Sequence, residues 1–271
     1  MTIALRGASA DALAALTSEL ESRLGGGADA SRIGDDLFTV SELLRSEPGL
    51  RRVATDVSVD ATAKAGLVTE IFGGKVDEVS LDILTSAVGR RWTVSRNLGD
   101  VLEHLSEVAI VRSAGDDSGR LADELHSYAQ AVNDNPSLRD ALSDPVRSVD
   151  DKAALVGGLL EGKALPATIT LARHALAGTY RTVAVALATY QQVAAQVHGE
   201  RVATVRVAHP LADAERQRLS DALSRQYDRP IHLNVVVDPD VIGGIRVEIG
   251  DDVIDGTVSN RLDDARRKLA G

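Results

Sequence analysis

The chain has 271 residues, a net charge of −10 and no cysteine. Apolar residues make up 44% and charged residues 26%, which suits a folded protein of about two domains and excludes wholesale disorder. The missing cysteines remove disulfides, thiolate nucleophiles and zinc sites of the Cys type. The acidic balance argues against nucleic-acid binding, and 3% aromatic content is poor material for a deep ligand pocket. No run approaches the roughly 18 apolar residues of a membrane span. The opening MTIALRGASADAL lacks the basic-then-apolar order of a secretory signal, so the chain is expected in the cytoplasm without membrane insertion.

The first two hundred residues read as amphipathic helices. Leu13, Leu16, Leu20 and Leu24 recur at three and four residues and predict a helix over about 8–24, ended by Gly25-Gly26-Gly27. Further stripes follow at Ile33, Leu37, Val40 and Leu44, at Leu67, Val68 and Ile71, at Leu81, Leu84 and Val88, and at Leu98, Val101, Leu105 and Val108. After His198 the period changes. Residues 202–207 alternate and are rich in β-branched side chains, which predicts a strand, followed by a helix over about 211–227. Ile231, Leu233, Val235 and Val237 mark a second strand, and Ile245, Val247 and Ile249 a third. Gly250-Asp251-Asp252 predicts a hairpin turn into Val253-Ile254. A last helix carries Val258, Leu262, Ala265 and Leu269 in line.

An internal repeat is the most informative feature. At an offset of 88 residues, RIGDDLFTVSELLRSEPGLRR from Arg32 aligns without gaps on RLADELHSYAQAVNDNPSLRD from Arg120. Pro48 matches Pro136, Asp56 matches Asp144, Lys64 matches Lys152, Gly74-Lys75 matches Gly162-Lys163, and Trp92 matches Tyr180. The same offset pairs the opening helix with 96–112, a segment that would close the first bundle and open the second. The fold class expected is α+β, mostly α: two tandem helical bundles, 1–112 and 113–198, then an α+β module over 199–271 with a short mixed sheet. The linker between the bundles is expected at 110–118, VRSAGDDSG.

No arrangement of residues rises to an enzyme. Gly157 to Lys163 satisfies the GxxxxGK half of a phosphate loop, but Ala164 stands where Ser or Thr must hold magnesium, and the segment lies between helices. The favoured reading is a helix end with a solvated lysine. The six histidines show no ligand spacing, and no serine sits in a GxSxG turn. No cofactor and no metal are expected. Two stretches carry backbone constraints instead. In Asp238-Pro239-Asp240-Val241-Ile242-Gly243-Gly244, Asp-Pro forces a turn and the paired glycines allow a tight bend. In Asp255-Gly256-Thr257, Asp-Gly makes a turn and Thr257 is a candidate N-cap for the last helix.

VVVDPDVIGGIRVEIGDDVIDGTVSNRLDDARRKL resembles the C-terminal signature of the delta subunits of rotary F-type ATP synthases, the oligomycin-sensitivity-conferring family. That signature runs strand, D-P-x-[LI]-I-G-G, strand, hairpin, D-G-[ST], then a helix with a leucine near each end, here Leu262 and Leu269. Asn135-Pro136, Lys152, Lys64 and Gly89-Arg90 are similar to marks of the family's six-helix bundle. Family members typically carry one bundle; this chain carries two.

The resemblance implies a non-catalytic stator. It would be peripheral on the cytoplasmic face of the cell membrane, joining the catalytic α/β head to the b-subunit stalk so that the head does not turn with the rotor. It implies that the N-terminal helix of an α subunit enters a groove between the first and fifth helices of a bundle. By position these are about 8–24 and 79–91, with Leu13, Leu16, Leu20, Leu81, Leu84 and Val88 as groove residues. The C-terminal module, with Asp238, Pro239, Ile242, Gly243, Gly244, Asp255, Gly256, Thr257, Leu262 and Leu269, would meet the b subunits. Each copy is expected to offer one groove, hence two docked helices. The alternative is an unrelated helical scaffold or adaptor that only mimics the signature.

Overall fold

The structure is a computed structural model that describes residues 5–197, 201–228, 230–238, 241, 243–249 and 252–257. It falls into two compact units, Met1–Ala194 and Ala195–Gly271. The first is helical and the second is built on a small mixed sheet, so the chain is α+β and mostly α.

The helices of the first unit are α1 (Ala8–Leu24), α2 (Ala30–Ser46), α3 (Pro48–Thr55), α4 (Ala61–Phe72), α5 (Glu78–Gly89), α6 (Asn97–Ser113), α7 (Ser118–Asp134), α8 (Pro136–Ser143), α9 (Val149–Leu160), α10 (Pro166–Ala177) and α11 (Val183–Val197). The boundaries of α2 to α5 recur in α7 to α10 after a shift of 88 residues, without slippage at either end. The same local chemistry sets both copies. Pro48 and Pro136 open their helices, where the missing N–H costs nothing. Asp60 and Ser148 are N-caps, their side chains accepting from the N–H groups of Thr62 at 2.9 Å and Asp151 at 3.1 Å.

Gly74 and Gly162 take left-handed φ values of 71° and 74° just past α4 and α9, which favours glycine. The lysine that follows each folds back on the helix end: Lys75 Nζ donates to the Ile71 carbonyl at 2.7 Å, and Lys163 Nζ to that of Leu159 at 3.2 Å. The repeated Gly-Lys is thus a helix stop whose cation satisfies the negative end of the helix. Gly157 and Gly158, the would-be phosphate-loop glycines, lie inside α9.

α6 is the pivot of this unit. Every residue from Val101 to Val111 is buried, polar Glu103, His104, Ser106 and Glu107 included. An amphipathic stripe buries one face; α6 is buried all round because helices pack on both sides of it. α1 and α2 pack on it from the first copy, and α7 and α10 from the second. The segment 110–118, expected as a linker, is instead the end of α6, a 3₁₀ turn over Gly115–Asp117 and the start of α7. Ile110 and Val111 are wholly buried and continue α6, while Gly115–Asp117 is exposed, so the connection is reduced to that short turn.

In the second unit, β1 (Arg201–Val207), α12 (Asp213–Tyr227), β2 (Ile231–Val237), β3 (Ile245–Ile249) and β4 (Asp252–Asp255) form a sheet of order β2-β1-β3-β4. β1 and β2 are parallel, joined by the α12 crossover; β3 is antiparallel to β1 and to β4. Alternate residues Ala203, Val205, Val207, Ile231, Leu233, Val247 and Ile249 make one face, on which Leu219 and Leu223 of α12 and nearby Leu211 and Tyr227 pack. The expected turn at Gly250-Asp251 and the last helix, with Val258, Leu262, Ala265 and Leu269, lie outside the described residues.

Candidate functional site

Helices α1 and α5 lie side by side and antiparallel. Their edge is bridged by polar pairs: Arg23 to Asp82 at 2.9 Å, Ser86 Oγ donating to Glu19 at 2.8 Å, and Arg90 near Glu19 at 3.8 Å. Of the six side chains expected here, Leu16, Leu20, Leu84 and Val88 are buried in the bundle core, while Leu13 and Leu81 are half-buried. A step of about 100° per residue puts Leu81 a quarter turn from Asp82, on the Val88 side and away from the α1 edge. Leu13 lies about 120° from Glu19 by the same count. The leucine stripe therefore holds the bundle together. The outward surface of the seam is made of small groups: Ala15, Ser18 and Ser22 on α1, and Thr85 and Gly89 on α5.

A second cluster lies where the two copies meet, around the buried acids of α6. Arg45 of α2 places Nη1 2.7 Å from Glu103 Oε2 and donates through Nη2 to the Ala177 carbonyl of α10 at 3.1 Å. The other Glu103 oxygen accepts from the Thr179 N–H at 2.9 Å. Tyr180 donates its hydroxyl proton to Glu107 Oε1 at 2.6 Å, and His104 Nδ1 lies 3.2 Å from Glu107 Oε2. Phe38 of α2 stacks on His174 of α10 with ring centroids 3.7 Å apart, and His174 Nε2 lies 3.2 Å from Asp35 Oδ1. Burial holds the Glu103 carboxyl above its ordinary range, with Glu107 adding like charge against the pull of the Thr179 N–H and Arg45. Burial likewise raises Asp100 and drives the Tyr180 and Tyr190 hydroxyls up, the Glu107 charge adding to both tyrosines. Tyr128 is pushed up to about 12 by burial.

None of these residues was singled out as a site from the sequence. A usable signal exists in the repeat itself. The exposed α1 residues Asp11, Ala14, Ser18 and Ser22 have Gly99, Leu102, Ser106 and Ile110 as counterparts in α6, all four buried. A helix whose outer face turns apolar or small in one copy has acquired a neighbour there.

In the C-terminal unit the signature residues do backbone work. The Asp238 N–H donates to the Val207 carbonyl at 2.8 Å, and the Asp238 carboxylate lies 3.8 Å from Arg206. Gly244 has φ 83°, and a Cβ there would run into the Gly256 carbonyl and stand 2.9 Å from Thr257 Cα. Gly256 N–H donates to the Ile245 carbonyl at 2.9 Å. Asp255 Oδ1 accepts from Thr257 N–H at 3.0 Å and from its hydroxyl at 2.6 Å; these bonds hold the carboxyl below its ordinary range. The paired glycines and the Asp-Gly-Thr turn, on either side of the β3–β4 hairpin, thus pack on one another at one end of β3. Gly243 adjoins them, while Pro239, Ile242, Leu262 and Leu269 lie outside the described residues.

Among the described residues no group of three His, Asp or Glu side chains is placed to hold a metal ion, and no helix is long and apolar enough to cross a membrane. The apolar cavity between α2, α3, α4, α5 and α6 has a volume of about 30 Å³, room for a single water. The fold is a duplicated set of helices packed on a shared helix, followed by a compact sheet module.

The comparisons with known proteins agree. The family described as ATP synthase delta (OSCP) subunit matches residues 108–269. A Nocardioides protein named ATP synthase subunit delta is 55% identical over 268 residues, covering 98% of both chains. Namesakes from Kineococcus radiotolerans and Streptomyces coelicolor are 45% identical over 249 residues and 39% over 271, covering 90% and 98% of both chains. The chain belongs to the ATP synthase delta (OSCP) subunit family. It is a peripheral-stalk component of an F-type ATP synthase, structural and not itself catalytic. The family match begins in α6, so it spans the second repeat and the sheet module; the relatives extend over both repeats.

Proposed function

We propose that the chain ties the catalytic α/β head of the synthase to the b-subunit stalk on the cytoplasmic face of the cell membrane. In this reading 1–112 and 113–198 are the two bundle copies, and 199–271 is the module that meets the b subunits. A bundle receives the N-terminal helix of an α subunit along the outer surface of the α1/α5 seam, where Leu16, Leu20, Leu84 and Val88 hold the two helices together from beneath and Leu13 and Leu81 lie off its edges. Supporting this is the open surface of small side chains at Ala15, Ser18, Ser22, Thr85 and Gly89, which lets a second helix approach closely. The polar pairs Arg23–Asp82 and Ser86–Glu19 supply a rim. The observation that carries the reading is the end-to-end likeness to proteins named ATP synthase subunit delta.

Affinity purification of the tagged full chain from detergent-solubilised membranes tests it: α, β and b subunits are expected in the eluate. An eluate without them would overturn the proposed tie between head and stalk. For the seam, Ser18→Trp is expected to weaken binding of an α-subunit N-terminal peptide about tenfold, with melting unchanged, since Ser18 is exposed. Unaltered peptide affinity would remove α1/α5 as the docking surface.

A further inference from the structure

The second repeat contains the counterpart of the α1/α5 seam, formed by α6 and α10. The outer residues of the first seam have equivalents there, 88 positions on; the counterpart of Thr85, Arg173, stays exposed and pairs with Glu161 at 2.9 Å. Ala15, Ser18 and Ser22 correspond to Glu103, Ser106 and Ile110; Ser86 and Gly89 correspond to His174 and Ala177. In the second repeat Glu103, Ser106, Ile110 and His174 are buried and Ala177 is half-buried, and α2 packs against them. Arg45 of α2 spans from Glu103 to the Ala177 carbonyl. Phe38 stacks on His174, and Asp35 lies beside the same ring. Gly34 passes so close to α6 that a Cβ would stand 2.6 Å from Ile110 Cγ1 and 3.2 Å from the Ser106 carbonyl. Gly99 of α6 approaches the Ser41 carbonyl of α2 in return.

α2 thus lies where a docked helix would lie. Small residues permit the approach, and one arginine and one aromatic anchor it on both walls. Its own counterpart, α7, does not carry these anchors: Phe38 and Arg45 become His126 and Asn133, half-buried and exposed. The anchors belong to the copy whose α2 has a seam to fill.

We propose that the helix-receiving seam of the second repeat is closed by α2 of the same chain, leaving the α1/α5 seam of the first repeat as the one open docking site. The claim of an open site rests on the docking reading above; the closure of α6/α10 does not. The family match runs over 108–269, the second repeat from the end of α6 onward, so the copy within the match has its seam occupied and docking falls to the first copy. The expectation of one open groove in each copy, and so of two docked helices, is replaced by one.

The chain has no cysteine, so an introduced pair reports on α2 without background. Asp35→Cys with His174→Cys, treated with a short bis-maleimide, is expected to cross-link nearly completely within one chain. The full chain, cross-linked or not, is then titrated calorimetrically with the N-terminal peptide of its cognate α subunit. One peptide per chain, bound equally by both forms and about tenfold more weakly by Ser18→Trp, supports the proposal. Two peptides per chain, a tenfold loss on cross-linking, or insensitivity to Ser18→Trp overturns it. If no peptide binds either form, the docking reading falls and the cross-link alone decides the closure: full yield retains α2 in the seam, and no yield removes it.

Discussion

Replacing Tyr180 by Phe removes one hydroxyl and no apolar volume, so its effect reads the bonds of that hydroxyl, to Glu107 first and to Thr189 second. That hydroxyl donates to Glu107 Oε1 at 2.6 Å, and Glu107 is 1% exposed. Its other oxygen faces His104 Nδ1 at 3.2 Å, so the variant leaves one buried carboxylate oxygen without a donor. A hydrogen bond to a charged group contributes about 1.5–3 kcal/mol, and a buried acceptor left unmade forfeits that amount. For a helical unit of this size 1 kcal/mol corresponds to about 2–4 °C in Tm. The expected fall is therefore about 3–12 °C, with unfolding in urea shifted to match. Glu107→Leu combined with Tyr180→Phe removes both partners, and the pair should show a coupling energy of about 1–3 kcal/mol in a double-mutant cycle. Circular dichroism at 222 nm in urea and on heating reads both quantities. A single-variant loss below about 0.5 kcal/mol, or additivity within that margin, would refute the idea that this bond clamps the shared helix to the second copy.

Three further outcomes follow from other positions. Gly244→Ala places a Cβ at φ 83° against the Gly256 carbonyl, and should destabilise the C-terminal unit by about 1–3 kcal/mol, read as faster amide exchange in β1 and β3. Gly66→Ala, in the exposed middle of α4 with open space around it, should instead stabilise by about 0.5–1 kcal/mol in urea unfolding. Glu103 is held above its ordinary 4.5 by burial, so the folded state binds its proton more tightly than the unfolded chain does. Its contribution is fully favourable below pH 4.5 and declines as pH rises from there through the folded value. Melting profiles across that window should show Tm of the natural chain falling relative to Glu103→Gln as pH rises; a gap that stays constant would exclude titration of Glu103.

The elements were legible because their signals are local. The leucine spacing set α1, and the β-branched alternation set β1 to β3, with boundaries close to those observed. The repeated Pro, Asp and Gly-Lys positions each act within about four residues: a first-turn proline, an Asx turn, a helix stop with its lysine folded back. Such devices read the same in either copy, so the offset of 88 predicted both sets of helices together. The C-terminal signature was legible for a related reason. Gly244, Gly256 and Thr257 touch through backbone, which tolerates few residue types and leaves a recognisable string.

Sequence by itself therefore determined the class, the duplicated helices, the sheet module and the family. It assigned Leu16, Leu20, Leu84 and Val88 to a groove because periodicity reports which face is apolar, and both a core and a docking surface are apolar. Only the tertiary structure decided between them, since burial depends on what lies across from a residue. The same physics hid the junction of the two copies. Arg45, Glu103, Glu107, His174 and Tyr180 read as ordinary polar residues of separate segments, and they come together in separate pairs around one helix because α2 and α10 both close on α6. Long-range charge pairing leaves no spacing rule along the chain, so which seam is filled and which stays open is a property of the fold alone.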